Sequence, residues 1–316
     1  MSAQVHGYAI HPGPALMLAA LALGGLGLLC RKGVLREAGR LTLSKPAFLV
    51  PAAMAVVFGA LCVDEWFGNA ATPNPFGVRG WRDVPYSGGI LSGGRDAGNW
   101  ILLGLTALTS AGHLGLVLAH LRGRPVDSAA FARGLRLFTL PLALGFTALY
   151  GGLYLVSVLM RPLGPGMVLC FLPHVLLAPL PAVLVRSQVR PAQALAETVR
   201  MALRSFRPLS RLLLTQVLFL GGMHYLWMRV HQWSSGAWTP PLVVSGTFSF
   251  NVFPFANAGR GTWLEWVLMA TMATGSAVFL TAHVLAGQRE YAPDPAPAAD
   301  AAGDGAPAPG RGAARG

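Results

Sequence analysis

Uncharged apolar runs of about 18–24 residues recur along this chain, and their length restricts its fold more than any other feature. A helix of that length spans the roughly 30 Å hydrocarbon core of a bilayer. Backbone that crosses this core must satisfy its hydrogen bonds within a helix or a closed barrel. Barrel strands alternate apolar and polar residues over roughly 10 residues, whereas these runs are apolar throughout. The sequence therefore predicts an all-α fold, a polytopic transmembrane helix bundle.

Seven spans, numbered here in chain order, are expected within a helical transmembrane domain over residues 1–286. Charged residues are only 11% of the chain, against about 25% in soluble domains, because they are confined to the connections. Residues 287–316 are rich in Ala, Pro, Gly and Asp, have almost no apolar surface to bury, and are predicted to be a disordered cytoplasmic tail. The predicted spans cover approximately residues 10–30, 46–65, 99–121, 137–160, 164–185, 209–228 and 263–286.

Basic residues are distributed unevenly between the two sets of connections. With the N-terminus outside, 18 of the 24 Lys and Arg residues fall in the cytoplasmic segments, and such an excess is typical of cytoplasmic connections. All eight tryptophans fall on the opposite, outer side, several at span ends, where the membrane interface favours them. The expected location is a bacterial cytoplasmic (inner) membrane, with the N-terminus outside and the C-terminus in the cytoplasm.

The net charge of +12 would suggest a nucleic-acid partner in a soluble protein. Here the basic residues lie at span ends and are explained by membrane orientation, so no nucleic acid is expected. The expected partners are the lipid bilayer and its anionic headgroups, with a membrane-protein partner or a second copy of the chain as further candidates. Cys30, Cys62 and Cys170 lie in or beside apolar runs and are interpreted as buried hydrophobes, with a Cys62–Cys170 disulfide left open.

Three cytoplasmic segments repeat one pattern, in which arginines precede a proline near the start of the next span. The prolines are Pro46, Pro141 and Pro208. Proline is tolerated in the first turn of a helix because its missing N–H has no partner there. Each unit is therefore interpreted as an inward span, a short basic helix, a proline and an outward span.

The third of these segments predicts an amphipathic helix from about residue 192 to 207. Such helices usually lie in the membrane interface, and a helix packed on the bundle is the alternative. The apolar stripe, about 60° wide, consists of Leu195, Val199, Ala202 and Phe206. The opposite stripe contains the predicted membrane-surface residues Arg200, Arg204, Arg207 and Arg211.

Two stretches of the sequence resemble a known group of proteins. In one, Pro191-Ala192-Gln193-Ala194-Leu195 leads a basic helix into a span, and in the other Phe131-Ala132-Arg133-Gly134-Leu135 precedes span four. This organisation, over residues 40–285, resembles uncharacterised bacterial multi-pass membrane proteins, including the membrane domain found beside some glycerophosphodiester phosphodiesterases. The resemblance implies a helical membrane domain. It brings no catalytic residues, because the phosphodiesterase's soluble domain with its acidic metal-binding residues is absent.

Two stripes of small residues predict helix–helix packing. Small residues four apart let helix backbones approach closely. Packing within the chain is the expected use of both stripes, and homodimerisation is the alternative. The stripe in span three is Ala107, Ala111, Gly115 and Ala119, and the stripe in span four is Thr139, Ala143, Thr147 and Gly151.

Histidines in the spans are the candidates for chemistry, because ionisable groups at membrane depth often have a function. His113 and His174 lie nearest the middle of the membrane. On facing helices they could bind a haem or a metal, whereas a neutral histidine hydrogen-bonded to a neighbouring helix is structural. No histidine spacing is specific to a metal, so we expect a structural role, no cofactor, no metal site and no catalytic residue. Glu265, at the outer end of span seven, is expected at the membrane interface.

Three functions follow from these expectations. The first is a non-enzymatic membrane protein that acts as a scaffold or a partner of envelope proteins. The second is a lipid or small-molecule transporter or permease subunit; mid-membrane polar residues are sparse for an ion-coupled carrier but leave a lipid-handling groove open. The third is an intramembrane redox or metal enzyme that uses the histidines, which the absorption spectrum of the purified protein would decide.

Overall fold

The computed structural model describes residues 12–31, 33–61, 97–160, 171–187, 191–235 and 263–289. These residues form helices and no strand, which confirms the predicted all-α class for this part of the chain. The helices are α1 (Pro12–Leu29), α2 (Gly33–Ser44), α3 (Leu49–Leu61), α4 (Ala97–Leu121), α5 (Ser128–Met160), α6 (Phe171–Leu177), α7 (Leu180–Ser187), α8 (Pro191–Arg204), α9 (Phe206–Ser235) and α10 (Trp263–Arg289), with a 3₁₀ turn at Pro46–Phe48.

Three helices are long and apolar enough to cross a membrane, judged by length and composition. They contain Gly104–Leu121 of α4, Ser128–Leu149 of α5 and the whole of α10. A fourth candidate is the pair α1 and α2, whose axes meet at 117°. Gly33 adopts a φ of +58° at this bend, a conformation open to glycine without steric cost. These helices indicate a membrane protein.

The other predicted spans coincide with helices that are shorter or less apolar. Span two contains the 3₁₀ turn and α3, and span six lies within α9. Span five is broken between α6 and α7 at Pro179, which cannot donate a backbone hydrogen bond to the preceding turn. The predicted long loops, apart from their ends, and the tail beyond Arg289 lie outside the described residues.

The repeated unit takes three different forms. The first contains α2, the 3₁₀ turn that begins at Pro46, and α3. In the second, the segment expected to be a separate basic helix is continuous with the following span, so that Pro141 lies inside α5. In the third, α8 ends at Arg204 and α9 begins at Phe206, two residues before Pro208. A distinct basic helix therefore occurs in the first and third units.

Helix α10 is the centre of the bundle. It packs against α1, α2, α3, α4, α7 and α9, and 20 of its 27 residues are buried. It has no charged residue between Glu265 and Arg289 and is apolar around its circumference, which is typical of a helix enclosed by others. Gly275 admits the ring of Phe219 from α9, since a Cβ there would lie 2.3 Å from the ring. Small residues thus let the surrounding helices approach α10 closely.

Helices α4 and α5 form an antiparallel hairpin with a well-defined turn. The N–H of Arg124 donates to the carbonyl of Ala119 at 2.9 Å, and Gly123 has a φ of +62°, as in a Schellman ending. Asp127 caps the next helix, its Oδ1 accepting the N–H of Ala130 at 2.9 Å. Backbone and capping hydrogen bonds therefore set where α4 ends and α5 begins.

The small-residue stripe of α4 lies inside this hairpin. Its alanines Ala107, Ala111 and Ala119 are buried. Gly115 meets Gly134 of α5 so closely that a Cβ on Gly115 would lie 2.5 Å from the Cα of Gly134. The two glycines set the closest approach of the helices.

Burial changes along the stripe of α5. Thr139 and Ala143 are half-buried, while Thr147 and Gly151 are exposed, with nothing within 4 Å of a Cβ built on Gly151. Helix α5 turns Gly134 toward α4 because a glycine permits a closer backbone approach than a threonine. Thr147 and Gly151 consequently face away from the described helices.

We expect Gly134→Ala to lower the free energy of unfolding by about 1–3 kcal/mol. Its Cβ would lie 2.3 Å from the carbonyl oxygen of Ala111, a backbone atom that cannot rotate away. Titration with sodium dodecyl sulfate in mixed micelles would measure the change. Gly151→Ala on the same helix is the control and should be neutral or stabilising, because alanine is the better helix former. Equal destabilisation by both variants would contradict the contact.

Candidate functional site

Polar side chains of α10 meet polar side chains of three other helices inside the bundle. Thr281 and His283 of α10 are fully buried, as are their partners, Thr42 of α2, His113 of α4 and Gln216 of α9, none more than 1% exposed. We call these five residues the polar layer. Since buried polar groups need hydrogen-bond partners, the layer links the central helix to its neighbours.

Thr281 joins two helices to α10. Its Oγ1 lies 2.9 Å from Nε2 of His113, and the backbone of Ala277 also hydrogen-bonds this imidazole. Oγ1 of Thr42 lies 3.5 Å from the same threonine oxygen. The ring of Phe48 packs edge-on to His113, with centroids 5.5 Å apart. A hydroxyl can donate and accept at once, so Thr281 can serve both polar neighbours.

His283 joins α9 to α10. Its Nε2 lies 2.9 Å from Oε1 of Gln216. A carbonyl oxygen only accepts, so Nε2 donates and Nδ1 is the nitrogen without a proton in the neutral ring. Nδ1 is buried and has no hydrogen-bond partner among the described residues. A neutral imidazole suits this environment, because an unpaired charge would be strongly destabilised there.

This geometry gives the polar layer a structural use. An interhelical hydrogen bond in a membrane contributes about 0.6 kcal/mol on average and up to roughly 1.7 kcal/mol. Bonds of that strength favour the observed rotation and register of α4 and α9 relative to α10. A histidine with a structural role is hydrogen-bonded to a neighbouring helix, and the contact between His113 and Thr281 is such a bond.

His174 lies at a different interface from His113. It is buried in α6, which packs against α5, α8 and α9, whereas His113 faces α10. The two histidines are therefore not brought onto facing helices around a common ligand. Within the described ranges, no three His, Cys, Asp or Glu side chains are grouped closely enough to hold a metal ion.

Sequence reasoning missed the threonines of the polar layer. Thr271 and Thr274 of the same helix donate to the backbone carbonyl four residues earlier, each at 2.7 Å, and nothing in the sequence distinguishes Thr281 from them. Glu265, in the first turn of α10, is 1% exposed, so its side chain packs inside the bundle, which the sequence did not indicate. Which face of α10 meets which helix decides both cases.

The predicted amphipathic helix corresponds to α8 and the start of α9, and its contact face differs from the predicted stripe. The buried face consists of Ala194, Thr198, Met201 and Ala202. Of the predicted apolar stripe, Ala202 is buried, Leu195 and Val199 are half-buried, and Phe206 is 56% exposed. The small side chains face α5, α6 and α7 because they let α8 approach the bundle more closely than leucine would.

The rest of this surface is divided between apolar and basic residues. Leu203 is 68% exposed and lies beside Phe206 at 100° per residue. The arginines are all exposed, and Arg200 donates to Oε2 of Glu197 at 2.8 Å. Around the axis, the buried face is followed by an exposed apolar face and then by a basic face. We call this arrangement the three-sector surface. The basic face carries Arg200, Arg204, Arg207 and Arg211.

Comparison with known proteins finds no matching family model, no matching curated protein and no matching solved structure. A fold alone does not specify a function. Function is therefore argued from the polar layer, the three-sector surface and the charges at the ends of the helices.

We expect Thr281→Val to lower the free energy of unfolding by about 1–2 kcal/mol, because it leaves a buried imidazole nitrogen without its hydroxyl partner. Titration with a denaturing detergent would measure this change in the free energy of unfolding. His113→Phe should have a smaller effect in the Thr281→Val background than in the wild type, since the pair is coupled. Thr274→Val is the control, because this exposed hydroxyl bonds only its own helix. If both valine variants behave alike, Thr281 does not join the helices.

Proposed function

We propose that this chain is a non-enzymatic integral membrane scaffold of a bacterial inner membrane. It has seven spans, with the N-terminus outside and the C-terminus in the cytoplasm. The bundle around α10 holds basic amphipathic helices against anionic lipid and presents outer helix faces to a partner membrane protein or a second copy. The observation that carries this proposal is the three-sector surface, which provides separate faces for protein, acyl chains and headgroups.

Exposed apolar side chains support spans beyond the three long helices. Leu16, Met17 and Leu28 of α1 are each more than 60% exposed, and so is Leu218 of α9. Soluble proteins rarely expose contiguous apolar surface on this scale, whereas lipid tails are a suitable environment for it. In the proposal, α1 and α9 therefore cross the membrane beside α4, α5 and α10.

Contacts at one end of the bundle support the orientation. Arg289 at the end of α10 donates to Glu37 of α2 at 2.8 Å, and Lys45 donates to Nδ1 of His120 near the end of α4 at 3.2 Å. Three of the predicted cytoplasmic segments thus share one end, as a seven-span chain with the N-terminus outside requires. The excess of basic residues assigns that end to the cytoplasm.

The outward face of α5 supports a partner in the membrane. Thr147 and Gly151 are small, four residues apart and exposed, and this spacing lets another helix approach closely. The polar layer, in contrast, is occupied by bonds between helices of the same chain. We accordingly favour a structural role over an intramembrane enzyme, with the resemblance to membrane domains of glycerophosphodiester phosphodiesterases kept as part of the proposal.

Reporter fusions test the topology. Alkaline phosphatase fused after residue 290 should be inactive, because its disulfides do not form in the reducing cytoplasm, and a fluorescent protein at that position should be bright. Phosphatase fused after residue 65, at the outer end of span two, is the matched control and should be active. An active phosphatase after residue 290 would place the tail outside and overturn the topology.

The three-sector surface is stabilised by two parts of the lipid, because its basic face meets anionic headgroups and its exposed apolar face meets acyl chains. Each arginine near an anionic surface contributes roughly 1 kcal/mol, screened by salt. The ion pair with Glu197 reduces the share of Arg200, so the contribution rests mainly on Arg204, Arg207 and Arg211. Fully burying a leucine or phenylalanine in the acyl boundary contributes roughly 1.5–3 kcal/mol, which applies to the neighbouring apolar face.

Spin labels on a cysteine-free background test this placement in nanodiscs that contain anionic lipid. Labels at Leu203→Cys and Phe206→Cys should collide more often with oxygen, which concentrates in acyl chains, than with a water-soluble nickel chelate. A label at Arg204→Cys, next to Leu203 on α8 but in the basic face, should show the reverse. Preference for the nickel chelate at all three positions would mean that the helix lies in water against the bundle.

A further inference from the structure

A cavity of about 120 Å³ opens at the turn between α4 and α5. Arg122, Arg124 and Arg133 line it, and Gly115 contributes to its wall without a side chain. The volume is several times what a single water needs. The turn follows directly after Leu121, the last residue of a candidate span, so the cavity lies where lipid headgroups would begin.

The described residues that line this cavity carry more positive than negative charge. Asp127 is the acidic residue in its lining, and its Oδ1 is already bound to the N–H of Ala130 at 2.9 Å. In the part of the chain that the structure describes, ion pairs join Arg200 to Glu197 and Arg289 to Glu37, and none involves an arginine of the cavity. Three guanidinium groups and one carboxylate leave an excess of two positive charges.

The backbone around the cavity is held in place. The N–H of Arg124 is bound to Ala119, and Pro125 restricts the turn that follows. The contact of Gly115 with Gly134 holds the two helices together beneath the turn. A ligand therefore does not have to order the backbone of the turn, which lowers the entropy that binding must offset.

We propose that this cavity binds a phosphate group. Guanidinium groups pair with phosphate oxygens through two parallel hydrogen bonds, and arginine is the side chain best suited to that geometry. The phosphate is that of an anionic lipid headgroup or of a soluble phosphate ester, which share this chemistry. The site does not depend on the proposed topology, because binding in detergent is independent of orientation.

Binding to the full-length protein in neutral detergent tests the site, with dimyristoyl phosphatidic acid and inorganic phosphate as separate probes and native mass spectrometry and titration calorimetry as readouts. One variant replaces the three arginines with glutamine. A second, Ala129→Trp, keeps every charge and fills the opening, since Ala129 is exposed and lines the cavity. The charge-matched control replaces Arg31, Arg136 and Arg186, which are exposed and lie outside the cavity lining, α2 and α8, with glutamine.

We expect both cavity variants to bind phosphatidic acid roughly 10-fold or more weakly than the wild type and the control to stay close to it. Wild-type binding of the lipid that is much tighter than binding of inorganic phosphate identifies a headgroup as the ligand, and similar affinities identify a soluble phosphate ester. Unchanged binding in the cavity variants, or an equal loss in the control, overturns the proposal. Unfolding midpoints measured for all variants would reveal misfolding. Success or failure of phosphate binding leaves the tests of topology and of α8 unaffected.

Discussion

Helix α10 is enclosed on nearly all sides and has no charged residue between Glu265 and Arg289, so its buried polar side chains bond either to its own backbone or to other helices. Leaving a buried donor or acceptor unpaired costs about 1–3 kcal/mol, so Thr281 and His283 need partners at defined positions. His113 and Gln216 provide them at 2.9 Å. The rotation of α4 and α9 around the centre follows from these bonds, and the remaining helices pack around that arrangement.

Close approach at glycine has a similar organising effect in the α4–α5 hairpin. Gly115 and Gly134 bring two backbones together where any side chain would collide. The adjoining turn is stabilised by the Schellman ending and the cap at Asp127. The glycine contact and the turn that pack α4 against α5 therefore also place three arginines around one opening at the end of the bundle. Stability and surface charge are linked at this turn, because the same backbone segment packs the two helices and bears the arginines.

Helix α8 illustrates how packing changes the meaning of an amphipathic pattern. Viewed alone, its leucines and phenylalanine form the side that should be buried. In the folded chain, Ala194, Thr198 and Ala202 occupy the contact with the bundle, because small residues permit a closer approach. Leu203 and Phe206 then remain exposed beside the arginines. Residue size therefore decides which apolar side chains of α8 contact the bundle.

The sequence by itself determined the helical class and the approximate positions of most helices, because backbone in an apolar run must bond to itself. It also indicated that arginines collect at one set of helix ends and that His113 and His174 were the histidines to examine. The tertiary structure decided that Thr281 is its partner, that Gly134 rather than Thr147 meets α4, and that Glu265 is buried. These outcomes depend on how each helix is rotated about its axis against neighbours distant in sequence. Local periodicity carries no information about that rotation, since many rotations bury similar apolar area and only close contacts and paired polar groups distinguish them.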